Sequence, residues 1–509
     1  MTLAVLSSRA LLGLQTLAVR VEAHLGPGLP AFTVVGLPDL EVRESRERVR
    51  AAIINSGFEF PSGGRITINL SPADLPKASS RFDLPIALCL LMASGQIALL
   101  PPDDNLVLAG ELSLSGALVP VADPLALALG VAGAQCKAAQ RKPILILPEE
   151  SAAQAARVPG LSVLSARCLA EVAAHLAGQA PLPSAQAPAR PLAPPGLCLS
   201  EVRGQPGARR ALEIAAAGGH SMLMCGPPGA GKSMLAQRLP GLLPELDDRA
   251  ALEAAAIARL AGGDEPPFGV PPFRAPHHGA TAAALIGGGS PPRPGEISRA
   301  HQGVLFLDEL PEFERRALQA LREPMESGEV VIARAAASLR YPARFQLVAA
   351  MNPCPCGWRG HPTRACRCAP DQVARYVDRI GGPLRDRIDL HLWLPPVDPD
   401  CLAGPPGEAS ATVRQRVIAC RQRQWRRQGG LNGQLPVSAL ARHAALDDKT
   451  GRWFGQAMRH LGSSARASHR VLRIARSVAD LAAEEAIAQT HLAEALQYRA
   501  AAEGSALRR

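Results

Sequence analysis

Cys225-Gly226-Pro227-Pro228-Gly229-Ala230-Gly231-Lys232-Ser233 is the stretch whose reading decides the fold of this chain. From Gly226 to Ser233 it has the spacing G-x-x-x-x-G-K-[ST]. Small residues let successive backbone N–H groups curl around a phosphate with no Cβ in the way. In that pattern a lysine, here Lys232, reaches the β- and γ-phosphates, and a hydroxyl, here Ser233, binds Mg²⁺. The flanks agree. Ser221–Cys225 is a short apolar run that reads as a buried strand, and Ser233–Leu239 reads as the first turns of a helix, whose N-terminus favours an anion. A plain Gly/Pro loop between two elements is the weaker alternative. The stretch predicts a nucleoside triphosphate site.

Two downstream strands extend that reading. Gly303-Val304-Leu305-Phe306-Leu307-Asp308-Glu309 is an apolar run ending in two carboxylates, and Asp308 lies 76 residues after Lys232. It matches a Walker B element, in which the first acid holds Mg²⁺ through water and the second polarises the attacking water. Phe345–Asn352 is another buried strand that ends in an amide, so Asn352 is a candidate sensor of the γ-phosphate or the lytic water. Strands alternating with helices predict a doubly wound, mostly parallel sheet with nucleotide at the strands' C-terminal ends.

The 509 residues leave room for two to four domains. The apolar fraction is 47%, with 20% charged residues, which describes a globular chain rather than a disordered one. No run of about 18 uncharged apolar residues occurs, so no membrane partner is expected. The apolar N-terminus is interrupted by Arg9 and Arg20 and alternates like a strand from Leu17 to Ala23, unlike a signal peptide, so a cytoplasmic protein is expected. Of the net charge of +10, residues 401–509 carry 17 Lys+Arg against 8 Asp+Glu, a surplus of nine. Such a basic domain suggests a polyanion, nucleic acid first, although a solvated helical surface would give the same count.

Residues 1–177 read as a compact α/β domain, with strands at Leu14–His24, Phe32–Val35, Ile66–Leu70, Leu106–Leu108 and Pro143–Pro148. Helices are expected at Glu41–Ser56 and Phe82–Ser94. Residues 178–197, with six prolines, read as an extended linker. Residues 198–397 form the nucleotide domain, and 398–509 a helical domain whose densest basic cluster is Arg421, Arg423, Arg426 and Arg427. Within the nucleotide domain Gly262–Gly295 is loop-rich and contains His277-His278, whose adjacent side chains are expected to diverge, against a metal role. Gly328–Arg344 alternates like a β-hairpin with basic residues near its tip. Cys354-Pro355-Cys356 and Cys366-Arg367-Cys368 offer a four-thiol site suited to Zn²⁺ if the loop folds back, with His361 as a spare ligand. Unmetallated thiols beside Asn352 are the alternative. The other seven of the eleven cysteines are scattered singly and read as buried hydrophobes.

These residues together resemble the ComM/YifB family of magnesium-chelatase-like AAA+ ATPases. The resemblance covers nearly the whole chain. It is carried by Gly28–Pro38, Asn69–Lys77, Gly110–Ser113, Gly204-Gln205, Phe273–His278, Pro294–Ser298, the Walker B segment, Asn352–Gly357 and Gly382–Asp389. It implies an α/β fold, with an AAA+ P-loop core, an N-terminal Lon-protease-like α+β domain and a C-terminal helical lid. It also implies ATP and Mg²⁺ as cofactors and a homo-hexameric ring with nucleotide between neighbouring subunits. Arg387 matches the arginine finger and Arg466 the second sensor arginine on the lid, while Arg385 is an additional cation that the family pattern lacks. The implied activity is ATP-driven branch migration of DNA joint molecules in natural transformation. The segments 262–295 and 328–344 match insertions that line the ring pore, which makes Arg334 and Arg340 candidate DNA contacts.

In the Lon-like domain Arg81 stands at the nucleophile position, and no lysine occupies Ala117–Leu127. A Ser-Lys mechanism is therefore absent and a pseudo-protease scaffold is expected. A magnesium chelatase motor that drives metal insertion, and a protein-remodelling ATPase, are the alternatives to a DNA motor.

Overall fold

The computed structural model describes residues 2–36, 40–73, 80–135, 142–189, 196–289, 292–333, 338–398, 400–401 and 404–503. The chain forms two compact units. The first comprises Met1–Pro191 and Ala255–Phe268, the second Leu192–Ala254 and Gly269–Arg509.

The first unit is built on a seven-stranded mixed sheet in the order Ala31–Val35, Arg65–Ser71, Gln15–Gly26, Thr2–Leu12, Leu106–Leu108, Ile144–Pro148, Ser162–Ala166. The expected strand at Leu14–His24 is the second arm of a hairpin, its partner Thr2–Leu12 running antiparallel from Thr2↔Leu25 to Leu12↔Gln15. Helix Asp83–Ala93 is buried at every position, as the apolar run Leu84–Ala93 requires. Helix Pro124–Gln135 escaped the sequence reading because it is apolar all round and has no period to detect. Arg81 is buried and donates to the Ala122 carbonyl at 3.3 Å, a packing role at the position expected for a nucleophile. Beside it, Asp83 is bidentate with Arg48 at 2.8 and 3.2 Å. The first part of the Pro-rich stretch is ordered on this sheet. Ser165 N–H donates to Pro183 O at 3.0 Å and Ala185 N–H to Val163 O at 2.9 Å.

The second unit holds a five-stranded sheet in the order Phe273–Arg274, Val304–Leu307, Gln346–Met351, Met222–Cys225, Leu390–Trp393, all parallel. Register aligns Cys225 with both Met351 and Trp393, and Leu307 with Ala349. The residues that follow these strand ends, Gly226, Asp308 and Asn352, therefore emerge at one edge of the sheet. The strands Met222–Cys225, Val304–Leu307 and Gln346–Met351 are buried throughout, which explains their continuous apolar runs. The expected hairpin is present as Glu329–Ala333 paired with Ser338–Pro342.

Helices Ser410–Gln428, Val437–His443, Asp448–His460, Ala465–Leu481 and Gln489–Glu503 complete this unit. The last carbonyls of a helix have no partner within it. Those of helix Pro206–Gly218 are taken by distant side chains. Gln346 Nε2 donates to Ala215 O at 2.9 Å, Arg421 to Ala216 O at 2.7 and 2.9 Å, and Gln424 Nε2 to Ala217 O at 3.0 Å. Two of the four cluster arginines, Arg421 and Arg427, are thus partly buried, while Arg423 is exposed. Burial brings Arg421 down to about 10, still protonated at neutral pH, Arg423 donates to the Asp480 carbonyl, and Arg427 is bidentate with the Asp480 carboxylate at 2.6 and 2.7 Å. Arg426, on the same helix, is exposed. Of the four, Arg421 and Arg427 therefore serve packing, and Arg423 and Arg426 remain at the surface.

Candidate nucleotide site

The phosphate loop turns left-handed at Gly229 (φ 79°) and Gly231 (φ 86°), so an L side chain there would be strained. Helix Lys232–Arg238 starts immediately afterwards. Lys232 Nζ donates to Gly226 O at 2.7 Å, to Pro227 O at 3.0 Å and to Asn352 Oδ1 at 3.1 Å. Burial lowers its pKa from the usual lysine value. Ser233 Oγ donates to Asp308 Oδ2 at 2.6 Å. Asp308 Oδ1 in turn accepts the Glu309 backbone N–H at 2.9 Å. Five predicted residues, Lys232, Ser233, Asp308, Glu309 and Asn352, are therefore brought to one edge of the sheet from three strands that are distant in sequence.

Glu309 has φ 53°, a left-handed backbone rare for a residue with a side chain. Its Oε2 lies 3.1 Å from His278 Nδ1. The His277 and His278 rings are not divergent as expected; their centroids are 4.0 Å apart. They lie beyond the short strand Phe273–Arg274, after Pro276, where side chains no longer alternate across a sheet, and this end of the strand is the one that carries the site. The sequence reading missed the His278–Glu309 pair. Its only signal was position, two histidines just past a strand of the same sheet.

Models of the magnesium chelatase subunit ChlI match residues 198–402, of subunit ChlI of Mg-chelatase residues 21–150, and of the ChlI C-terminal region residues 407–499. The chain is 46% identical over 510 residues to the uncharacterized protein YifB of Salmonella typhimurium, covering 98% of this chain and 97% of the relative. It is likewise 46% identical to YifB of Escherichia coli, covering 98% and 97%. To the competence protein ComM of Haemophilus influenzae it is 46% identical, covering 98% of both. The chain belongs to the ComM/YifB family. The magnesium-chelatase AAA+ domain of this family is the five-stranded sheet with its phosphate loop, and the C-terminal match is its helical portion. ComM/YifB membership implies ATP and Mg²⁺. The residues present fit them, since Ser233 and Asp308 offer paired oxygen donors of the kind a hard cation takes, beside a glycine-turned loop that begins a helix.

The two arginines that the ComM/YifB resemblance implies lie apart from this cluster. Arg387 Nη2 pairs with Glu326 Oε1 at 2.6 Å and Nη1 donates to Pro383 O at 2.8 Å. Arg466 is exposed on the first turn of helix Ala465–Leu481. On that helix Arg470, not Arg466, reaches the sheet, pairing with Asp389 and donating to Arg387 O at 2.8 Å. Arg340 is 68% exposed and 3.7 Å from Glu329, and Arg334 lies outside the described residues. The sulfurs of Cys354, Cys356, Cys366 and Cys368 lie within 4.8 Å of one another, so the loop does fold back. Among the described residues no helix is long and apolar enough to cross a membrane.

Proposed function

We propose that this chain is an ATP-dependent DNA motor that promotes branch migration of recombination joint molecules during natural transformation. The observation that carries the reading is its 46% identity to a competence protein along 98% of both chains, the N-terminal unit included. In this reading Lys232 neutralises the β/γ-phosphates, Ser233 and Asp308 hold Mg²⁺, and Glu309 orients the attacking water. Mg²⁺ supplies charge stabilisation for the transferring phosphoryl group. Asn352, bonded to Lys232, ties the sensing strand to the loop.

The site is half of a shared one. Arg387 serves a neighbour in a homo-hexamer, where an arginine given across an interface stabilises the charge of phosphoryl transfer. Glu326 holds it in place from within its own chain. Arg466, free on its helix face, serves as the second sensor, and the N-terminal unit is a scaffold without proteolysis. Arg340, exposed on the strand Ser338–Pro342, and Arg334 contact the DNA backbone. The four cysteines are the place for Zn²⁺, and the protein works in the cytoplasm.

The test is ATP turnover of the full-length protein alone, with forked DNA, with a porphyrin, and with an unfolded protein, beside strand exchange on a labelled joint molecule. Stimulation by forked DNA together with ATP-dependent branch movement is expected. Stimulation by the porphyrin or by unfolded protein alone would overturn the reading in favour of metal insertion or remodelling. An Arg334→Ala/Arg340→Ala variant is expected to bind forked DNA more weakly and with a shallower salt dependence.

A further inference from the structure

The loop from Cys354 to Cys368 begins two residues after Asn352 and returns into helix Pro370–Asp378. Three of its sulfur pairs are 3.4 Å (Cys354–Cys356), 3.6 Å (Cys354–Cys366) and 3.6 Å (Cys356–Cys366) apart. A disulfide would need about 2.05 Å. Four thiolates around a zinc at about 2.3 Å stand roughly 3.8 Å from each other. Three of the sulfurs stand near that spacing, and Cys368 lies within 4.8 Å of them. The backbone N–H groups of Trp358 and Arg367 face the Cys356 sulfur. Backbone donors aimed at a sulfur are the support that a metal-bound thiolate uses.

What the loop rests on gives the cluster a second meaning. Gly357, at φ 83°, lies against the phosphate loop so closely that a Cβ there would stand 2.8 Å from Pro228 Cδ and 4.0 Å from Asn352 Cγ. Gly360 approaches the indole of Trp393, where a Cβ would be 3.2 Å from the ring. Trp393 ends the strand on the far side of Met222–Cys225. The loop thus touches the phosphate loop, the sensing amide and the neighbouring strand end. Between its cysteine pairs it has no helix or strand of its own, and a long loop without such structure keeps one shape only where something closes it. Its internal stacking of Arg364 on Trp358, 4.3 Å from the ring centre, is a surface contact of modest strength.

We propose that Cys354, Cys356, Cys366 and Cys368 hold one Zn²⁺ as a brace for the phosphate-binding loop, so that metal occupancy governs ATP turnover without contributing a group to the chemistry. The second half rests on the ATPase reading above; the metal site does not. With the metal in place, Gly357 backs Pro228 and fixes the carbonyls of Gly226 and Pro227 and the Asn352 amide around Lys232. Without it the loop's closure is lost and that backing with it.

The test uses full-length protein purified without chelator. Metal analysis is expected to give about one zinc per chain, as four thiolates and one tetrahedral ion require; less than a tenth would overturn the site. A Cys356→Ser/Cys366→Ser variant is expected to lose zinc, change the Trp358 and Trp393 fluorescence, and lower kcat at least tenfold. Should it fail to fold, Gly357→Ala carries the test, because a methyl at this left-handed position presses on Pro228 while the four thiols remain. It is expected to keep its zinc and lose turnover. Zinc present with both variants at wild-type kcat would overturn the brace. If the wild-type protein turned over no ATP, the ATPase reading would fail and the brace with it, while metal content and fluorescence would still decide the zinc site.

Discussion

Glu309 presents its carboxylate 3.1 Å from Nδ1 of His278, from a backbone held at φ 53°. The two residues come from different strand ends of one sheet, and the histidine fixes where the carboxylate points. Glu309→Gln is expected to lower kcat by about 10² or more while nucleotide binding persists, the usual size of a lost general base. His278→Ala is expected to lower kcat about tenfold with KM within twofold, since a positioning partner acts through the group that it orients. Steady-state turnover together with binding of a fluorescent nucleotide separates the two. Unchanged kcat for His278→Ala would show the pair to be incidental.

Lys232 and Asn352 share a hydrogen bond of 3.1 Å but are expected to fail differently. Lys232→Ala removes the cation proposed to face the phosphates and is expected to abolish nucleotide binding. Asn352→Ala is expected to leave the dissociation constant within about threefold and to reduce turnover, because a sensing amide matters most in the transition state. Isothermal titration and single-turnover hydrolysis distinguish these outcomes.

Arg387, bound to Glu326 at 2.6 Å, gives a prediction about assembly. Arg387→Ala and Lys232→Ala are each expected to be inactive alone. A mixture of the two is expected to regain turnover, since intact loops would meet intact arginines across some interfaces. No recovery over a range of mixing ratios, in preparations shown to co-assemble, would place the arginine's action within its own chain.

Asp389 is buried between His220, 3.4 Å away, and Arg470, and accepts from the Ser221 backbone at 3.2 Å. Burial opposes its charge, yet His220 and Arg470 outweigh it and hold the carboxyl below the usual aspartate range. A folded-state pKa below the unfolded value of about 3.9 adds stability that is present above that pH. The contribution is lost as the pH falls through the folded-state pKa. Asp389→Asn is expected to cost about 3 kcal/mol at pH 7, because it leaves Arg470 without its carboxylate, and to flatten the stability loss on the acid side. Urea unfolding at pH 7 and on the acid side of pH 4 measures both effects.

Arg421 and Arg426 lie on one helix with opposite environments. Arg421→Ala strands the Ala216 carbonyl and is expected to destabilise the second unit by about 1–3 kcal/mol. Its effect on the salt dependence of DNA binding is expected to be nil. Arg426, beside the 60% exposed Trp425, is expected to show the reverse, a shallower salt slope with unchanged stability.

Much of the site was legible because its chemistry is local. Gly226–Ser233 specifies its own turn, and Val304–Glu309 and Gln346–Asn352 announce buried strands with polar ends, so parallel pairing of those strands necessarily gathers Lys232, Asp308 and Asn352. The alternation of Leu14–His24 likewise announced a strand facing a core, found at Gln15–Gly26. Helix Pro124–Gln135 and the pairing of His278 with Glu309 were not legible. The first lacks a period, and the second depends on how a connection beyond Pro276 is laid across the sheet edge.

The sequence by itself therefore determined the nucleotide fold, the order of its machinery and the pairs of cysteines, since spacing and apolar periodicity are properties of neighbouring residues. Tertiary structure alone decided what the charges do. Two arginines of the basic cluster, Arg421 and Arg427, turn inward to a carbonyl of helix Pro206–Gly218 and to Asp480, because buried acceptors need donors whatever their distance along the chain. It also decided that the thiol loop leans on Pro228, a contact set by packing, and that the phosphate loop of Cys225–Ser233 is held from behind as well as along its own backbone.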